Sequence, residues 1–246
     1  MKRFNLQFVS DLHLEYSYKV PKIIAKQNNL ALLGDIGNPR MKNYNNFLKY
    51  LSPQFDNIFL IAGNHEYWNL NYKIKYDKKQ VDDLIEDICI NYNNIKYMNN
   101  KSITIDNVHI IGNTLWSNIP NNKILEAQWK MGDCYNIYVD NKNILPYQIN
   151  KFHKECVEYI ENEININQDK KIIILSHHCP SYKYLTKKHR NYINNYAFVS
   201  NLDHLIERPV YAWLAGHTHR NIHKIINNVV CSINCNNYNS ERYIEI

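Results

Sequence analysis

Short blocks of chemistry-bearing residues punctuate this chain: Ser10-Asp11-Leu12-His13, Gly34-Asp35-Ile36-Gly37-Asn38, Gly63-Asn64-His65-Glu66, Ser176-His177-His178 and Gly216-His217-Thr218-His219. Each offers hard oxygen or imidazole donors, the ligands that divalent and trivalent cations take. Asp-x-His directly after a strand puts two donors on one side of a turn, and Gly-His-x-His does the same for two imidazoles. Asp35 brings two carboxylate oxygens, enough to bridge two ions. Asn64 brings a neutral carbonyl oxygen where further negative charge would over-bind. Together Asp11, His13, Asp35, Asn64, His177, His217 and His219 give two cations about four protein ligands each, with Asp35 shared and positions left for water and substrate, as a catalytic site requires. Such mixed donors admit Mn, Fe, Zn, Ni or Co, with Mn expected to serve in vitro. Any one block alone reads more readily as a turn or a cap. Their agreement, in order and at strand ends, carries the metal reading.

The elements that must position these blocks are short apolar runs at 4–9, 30–33, 58–62, 109–112, 172–175 and 211–215, rich in β-branched residues as buried strands are. Helical patterns lie between them. Pro146 opens one whose Ile149, Phe152, Cys156, Tyr159 and Ile160 share a face, and Val81, Leu84, Ile85 and Ile88 mark another. At the end, 221–226, 229–234 and 242–246 read as short antiparallel strands, with Asn227-Asn228 as a tight turn. No linker or repeat divides the chain. A single domain over 1–246, two packed sheets with helices outside, is the expectation.

Composition narrows the classes. The chain has 246 residues, 45% hydrophobic and 13% aromatic, too many apolar groups for a disordered protein. A net charge of +6 suits phosphate-bearing substrates without demanding nucleic acid. The 6 cysteines form no Cys-x-x-Cys pair, the N-terminus runs straight into a strand, and no apolar stretch reaches the roughly 20 residues of a membrane span. A cytoplasmic protein with free thiols and no membrane partner is expected.

In their order and spacing these blocks resemble the calcineurin-like metallophosphoesterase superfamily, over nearly the whole chain from Asp11 to about Asn234. The resemblance implies a four-layer αββα sandwich: two mixed β-sheets flanked by helices, α/β (α+β) in class, with a dinuclear centre between strand ends. It implies that Asp11, His13, Asp35 and His219 hold one metal and Asp35, Asn64, His177 and His217 the other, while His65 sits beside the substrate. A bacterial-type branch of unassigned phosphoesterases is similar in Ser10 through Glu15, Gly63 through Tyr67, Thr114-Leu115-Trp116, Met131-Gly132-Asp133 and Ser176 through Pro180. The second block lacks the Asp-Arg-Gly extension of Ser/Thr protein phosphatases, which argues against that activity. Cys231 through Asn236 lacks the Asn-Pro-x-Gly of the branch.

The activity so implied is hydrolysis of a phosphate ester, a small phosphodiester or nucleotide, by a two-metal-activated hydroxide. His65 would protonate the leaving oxygen or stabilise the phosphoryl charge, a role worth about 10²–10⁴-fold. Glu66 would be a structural residue or would take the second N–H of a metal-bound histidine. Asn38, His178, Trp116 and Arg220 are expected to meet substrate, with His223 beside Arg220. Trp129, Asp133, Tyr135 and the segment 183–196, with Lys187, Lys188, His189 and Arg190, are expected at the rim. Alternative readings are a nuclease on single-stranded nucleic acid, suggested by interleaved basic and aromatic residues, and a non-catalytic scaffold that uses the fold to bind proteins.

Overall fold

The computed structural model describes residues 3–17, 20–70, 72–185, 194–235 and 242–246. In chain order the strands are β1 (Asn5–Val9), β2 (Asn29–Leu33), β3 (Asn57–Ile61), β4 (Ile95–Tyr97), β5 (Lys101–Ile105), β6 (Val108–Asn113), β7 (Tyr138–Val139), β8 (Lys142–Asn143), β9 (Lys171–Ser176), β10 (Val210–Ala215), β11 (Ile222–Ile226), β12 (Val229–Ile233) and β13 (Tyr243–Glu245). The helices are α1 (Lys42–Leu51), α2 (Lys78–Cys89), α3 (Ile124–Lys130), α4 (Asp133–Asn136) and α5 (Pro146–Ile166).

One sheet runs β13-β1-β2-β3-β4, parallel except for β13. The other runs β11-β12-β10-β9-β6-β5, with a parallel centre and an antiparallel strand at each edge. Strands covered on both faces need apolar side chains on both, so β2 is buried along its whole length and the runs read as continuous rather than alternating. Between the sheets lie Leu6, Phe8, Ala31, Leu33, Phe59 and Ile61 from one side and Ile110, Ile173, Leu175, Ala212 and Leu214 from the other. The outward faces pack with the helices: Tyr44, Phe47, Leu48 and Leu51 of α1, Val81 and Ile85 of α2, and Ile149, Cys156 and Ile160 of α5. Two mixed sheets flanked by helices is the expected four-layer arrangement.

Local sequence sets the helix starts. Asp77 caps α2 with Gln80 reaching back to its backbone N–H at 2.8 Å. Pro146, lacking an N–H, opens α5 at no hydrogen-bonding cost. All the cysteines are free and buried, and among the described residues no helix is long and apolar enough to cross a membrane. Truncating Phe59, fully buried between the sheets, should lower unfolding free energy by about 3–5 kcal/mol in a urea titration of Phe59→Ala. A loss below about 1 kcal/mol would mean that the layer between the sheets repacks freely.

Candidate metal centre and its cleft

Every block sits where a parallel strand ends: Asp11 and His13 after β1, Asp35 after β2, Asn64 and His65 after β3, His177 and His178 after β9, His217 and His219 after β10. Carboxyl ends of neighbouring parallel strands are where α/β sheets place their ligands. Asp11, His13, Asp35, His217 and His219 all have left-handed backbones, with φ of 56°, 48°, 51°, 66° and 51°. That conformation costs an L-residue about 1 kcal/mol or more, and its concentration here bends the loops so that side chains converge. Gly63 has no substitute: a Cβ there would collide with the Asp35 carboxylate and come within 2.7 Å of the His177 ring.

Two groups result. Ligand atoms of Asp11, His13, Asp35 and His219 all lie within 4.8 Å of one another, as do those of Asp35, His177 and His217, and either group could hold a metal ion. Asp35 belongs to both. Its Oδ2 lies 3.3 Å from His177 Nε2 and 3.8 Å from His13 Nε2, while its Oδ1 accepts the His65 backbone N–H at 2.8 Å. Asn64 gives its amide N–H to Asp133 (2.8 Å), which turns its Oδ1 toward His177 Nε2 at 3.1 Å.

The histidine tautomers test whether these residues suit cations. His177 Nδ1 donates to the Leu33 carbonyl (2.9 Å) and His217 Nε2 to the Ala197 carbonyl (3.1 Å). His177 Nε2 and His217 Nδ1 then face each other at 3.1 Å. With Asp35 Oδ2 at 3.3 Å and Asn64 Oδ1 at 3.1 Å also turned toward His177 Nε2, these acceptors converge on one positive charge, the His177 proton or a cation in its place. His13 and His219 bring their Nε2 atoms to 3.2 Å of each other. The donors fit cations. Burial pushes the Asp35 carboxyl up, but the charge and hydrogen bond of His177, with His65 and His13 beyond, hold it well below its usual range. His177 is raised to about 9, because Asp35 and Asp11 outweigh the downward push of burial, so cation binding there must displace a proton. Burial and the neighbouring His178 and His177 push His217 well below its ordinary value and keep it neutral, the form that ligates.

Glu66 is fully buried, and of its two expected roles the structure shows the structural one. Its Oε2 accepts the N–H groups of Asp35 (2.9 Å) and Gly63 (2.7 Å), and its Oε1 those of Ile36 (2.7 Å) and Gly37 (3.2 Å). It therefore ties the loop after β2 to the loop after β3. Backbone carbonyls serve His177 and His217 instead.

A cleft of about 380 Å³ opens over the donors, lined by Asp35, Asn64, His65, His217 and His219 on its floor and by Trp68, Lys130, Asp133, Tyr196 and Phe198 around them. His65 stacks on Trp68 at 3.8 Å, and the Trp68 indole N–H is anchored to Asp133 at 2.8 Å. Larger hollows elsewhere, such as one of about 490 Å³ among Arg3, Asn29, Asp56 and Lys171 at the opposite strand ends, hold none of these donors.

The residues expected to meet substrate lie elsewhere. Trp116 is buried at 2% exposure, packed 5.4 Å from Tyr67 and 5.8 Å from Phe152, because Leu115 and Trp116 both take left-handed φ and turn inward. His178 is buried beneath His217, ring to ring 4.1 Å, with its Nδ1 on the Thr114 carbonyl. Asn38 is also buried, bonding the Trp68 carbonyl (2.8 Å) and the Arg40 N–H (3.1 Å), so it braces the loop. Arg220 is exposed and not among the described cleft-lining residues. His223 projects from β11 toward Ser232 at 3.3 Å. Of the rim residues, Asp133 lines the cleft while Trp129 and Tyr135 are largely exposed beside it. Lys187, Lys188, His189 and Arg190 lie outside the described residues. The sequence reading gave Glu15 no role, yet it hydrogen-bonds both His13 and His65 at 3.0 Å. A carboxylate two residues beyond His13 was the available signal.

Comparison with known proteins gives a consistent context. The sequence profile described as calcineurin-like phosphoesterase matches residues 5–221. An uncharacterized protein of Acanthamoeba polyphaga mimivirus is 36% identical over 274 aligned residues, 98% of this chain and 96% of its own. Among solved structures, the phosphopantetheinyl hydrolase of Mycobacterium tuberculosis superimposes with a TM-score of 0.72 at 14% identity, covering 98% of this chain and 95% of that one. This last likeness is one of fold.

Proposed function

The chain belongs to the calcineurin-like phosphoesterase family, metal-dependent hydrolases of phosphoric esters, and from that premise we propose that it is a two-metal phosphodiesterase acting on a small phosphodiester or nucleotide. The observation that carries the two-metal reading is the position of Asp35, one carboxylate common to both donor groups. Asp11, His13, Asp35 and His219 would hold one cation; Asp35, Asn64, His177 and His217 would hold the other. Bound there, a pair of cations supplies a nucleophile from water near neutral pH and offsets charge at phosphorus. Manganese is the ion we would load first, because oxygen and imidazole donors accept it readily.

The chain's own residues supply the rest. His65, with Nδ1 on Glu15 and its ring against Trp68, would offer Nε2–H to the leaving oxygen. The aromatic walls Trp68, Tyr196 and Phe198 suit a planar or apolar arm on the ester. Among the described residues lining the cleft, Lys130 is the one basic side chain besides the histidines, and it is paired with Glu126 at 2.9 Å. A monoester dianion would want more cationic side chains than that, whereas a diester carries a single charge. The diester is therefore the favoured substrate.

The test is hydrolysis of bis-p-nitrophenyl phosphate against p-nitrophenyl phosphate by purified protein, with Mn²⁺ and with chelator. The diester should be turned over at least about tenfold faster, by a rate that chelator removes. Preference for the monoester would overturn the diester reading, and activity indifferent to chelator would overturn the metal reading.

A further inference from the structure

Glu15 lies in the short turn Leu14–Tyr16 that follows His13, its ligand atoms grouped within 4.8 Å with those of His13 and His65, and its side chain is 1% exposed. A single oxygen, Oε1, lies 3.0 Å from Nδ1 of His13 and 3.0 Å from Nδ1 of His65. The other oxygen, Oε2, is buried without a hydrogen-bond partner among the described residues. A buried carboxylate is costly to keep unless its bonds matter, and the bonds it makes go to these two rings. The left-handed backbone of His13 puts side chains 13 and 15 on the same side of the turn.

We propose that Glu15 is a positioning residue shared by two histidines, one presenting a nitrogen to a cation and the other to the leaving group. This rests on the reading of the site above, in which His13 is a ligand and His65 the acid. An ionised carboxylate only accepts hydrogen bonds, so both Nδ1 atoms must carry their protons. That fixes both free nitrogens as Nε2. His13 Nε2 then faces His219 Nε2 at 3.2 Å and Asp35 Oδ2 at 3.8 Å, inside the donor cluster. His65 lines the cleft, its ring 4.6 Å from that of His13 and turned 77° to it. Trp68 closes the far face of His65 by stacking, so Glu15 and Trp68 together leave that imidazole one orientation. Because one oxygen serves both rings, displacing it disturbs both functions.

The experiment compares wild type with Glu15→Ala, Glu15→Gln, His65→Ala and Glu15→Ala combined with His65→Ala. For each, Mn²⁺ affinity is measured by isothermal titration, kcat and KM on bis-p-nitrophenyl phosphate by absorbance, and folding by thermal melt. Glu15→Ala should lower kcat by about 10²-fold with KM nearly unchanged, and weaken Mn²⁺ binding by about tenfold, the range found when partners of ligating histidines are removed. Glu15→Gln retains an acceptor oxygen and should recover about tenfold of the lost kcat. In the His65→Ala background, Glu15→Ala should cost kcat less than about threefold while still weakening Mn²⁺. Equal losses of kcat with and without His65 would overturn the His65 half of the proposal, and unchanged Mn²⁺ affinity the His13 half. If Glu15→Ala fails to fold, Glu15→Gln carries both comparisons against wild type. If the wild type hydrolyses neither ester, the phosphodiesterase reading fails on its own. Glu15 is then judged by Mn²⁺ affinity and by the ¹⁵N shift of His65 Nδ1, which should move in Glu15→Gln and would refute the proposal by staying put.

Discussion

Asp35→Asn should lower turnover of bis-p-nitrophenyl phosphate by at least about 10³-fold, the rate equivalent of about 4 kcal/mol of transition-state stabilisation. The magnitude follows from membership in both donor groups. Asp11, His177, His217 and His219 serve one cluster each, whereas Asp35 has Oδ2 near His177 and His13 and Oδ1 on the His65 backbone. An amide keeps the shape, retains one acceptor and loses the charge. Metal content by atomic spectrometry should fall from about two ions per chain to one or fewer, since a neutral amide holds a divalent cation more weakly than a carboxylate does. A melt separates this from misfolding. Wild type should gain stability with Mn²⁺, about 2.7 kcal/mol at a hundredfold excess over Kd, and the variant should gain little while still unfolding cooperatively. Two ions retained with activity intact would sink the shared-ligand reading.

The donors were legible in the sequence because each is a distinctive residue type at the end of an apolar run, and strand ends can be read locally. The central strands were legible for the same reason: 30–33 and 172–175 are apolar throughout because both their faces are covered. Residues whose meaning depends on a distant partner were not. Glu15 finds His65 far along the chain, across the gap between two strands. Glu66 bonds four backbone N–H groups, and backbone amides carry no sequence signature. Trp116 read as a substrate-facing residue because an aromatic in a loop looks the same whether it turns out or in; left-handed backbone at Leu115 and Trp116 turns it in. Helix α1 buries Tyr44, Phe47, Leu48 and Leu51 at helical spacing, but Asn43, Asn45 and Asn46 and the lack of a side-chain cap obscured it. Strand β5 was missed because it is half-exposed and shows no apolar run.

Glu66→Gln should cost about 3 kcal/mol or more in unfolding free energy, measured by urea titration with chelator present so that metal loss does not enter. Burial and the Asp35 charge raise Glu66 to about 7, so the titration belongs near pH 8, where the ionised carboxylate is acceptor-only and each oxygen receives two N–H groups, from Asp35 and Gly63 at Oε2 and from Ile36 and Gly37 at Oε1. A glutamine has the same outline but only one acceptor oxygen. Whichever way the amide is turned, its NH₂ points at two N–H donors in a site with no solvent access. Two buried amides are then left unsatisfied at about 1–3 kcal/mol each, with donor–donor repulsion added. Glu66→Ala removes all four acceptors but also the clash, and leaves space for water to restore some bonds. The isosteric change should therefore destabilise at least as much as the truncation, the reverse of the usual order for buried side chains. Metal binding should suffer with it, because the loops bearing Asp35 and Asn64 are joined through this one side chain. A Gln variant of near wild-type stability would mean that the two loops hold their conformation without Glu66.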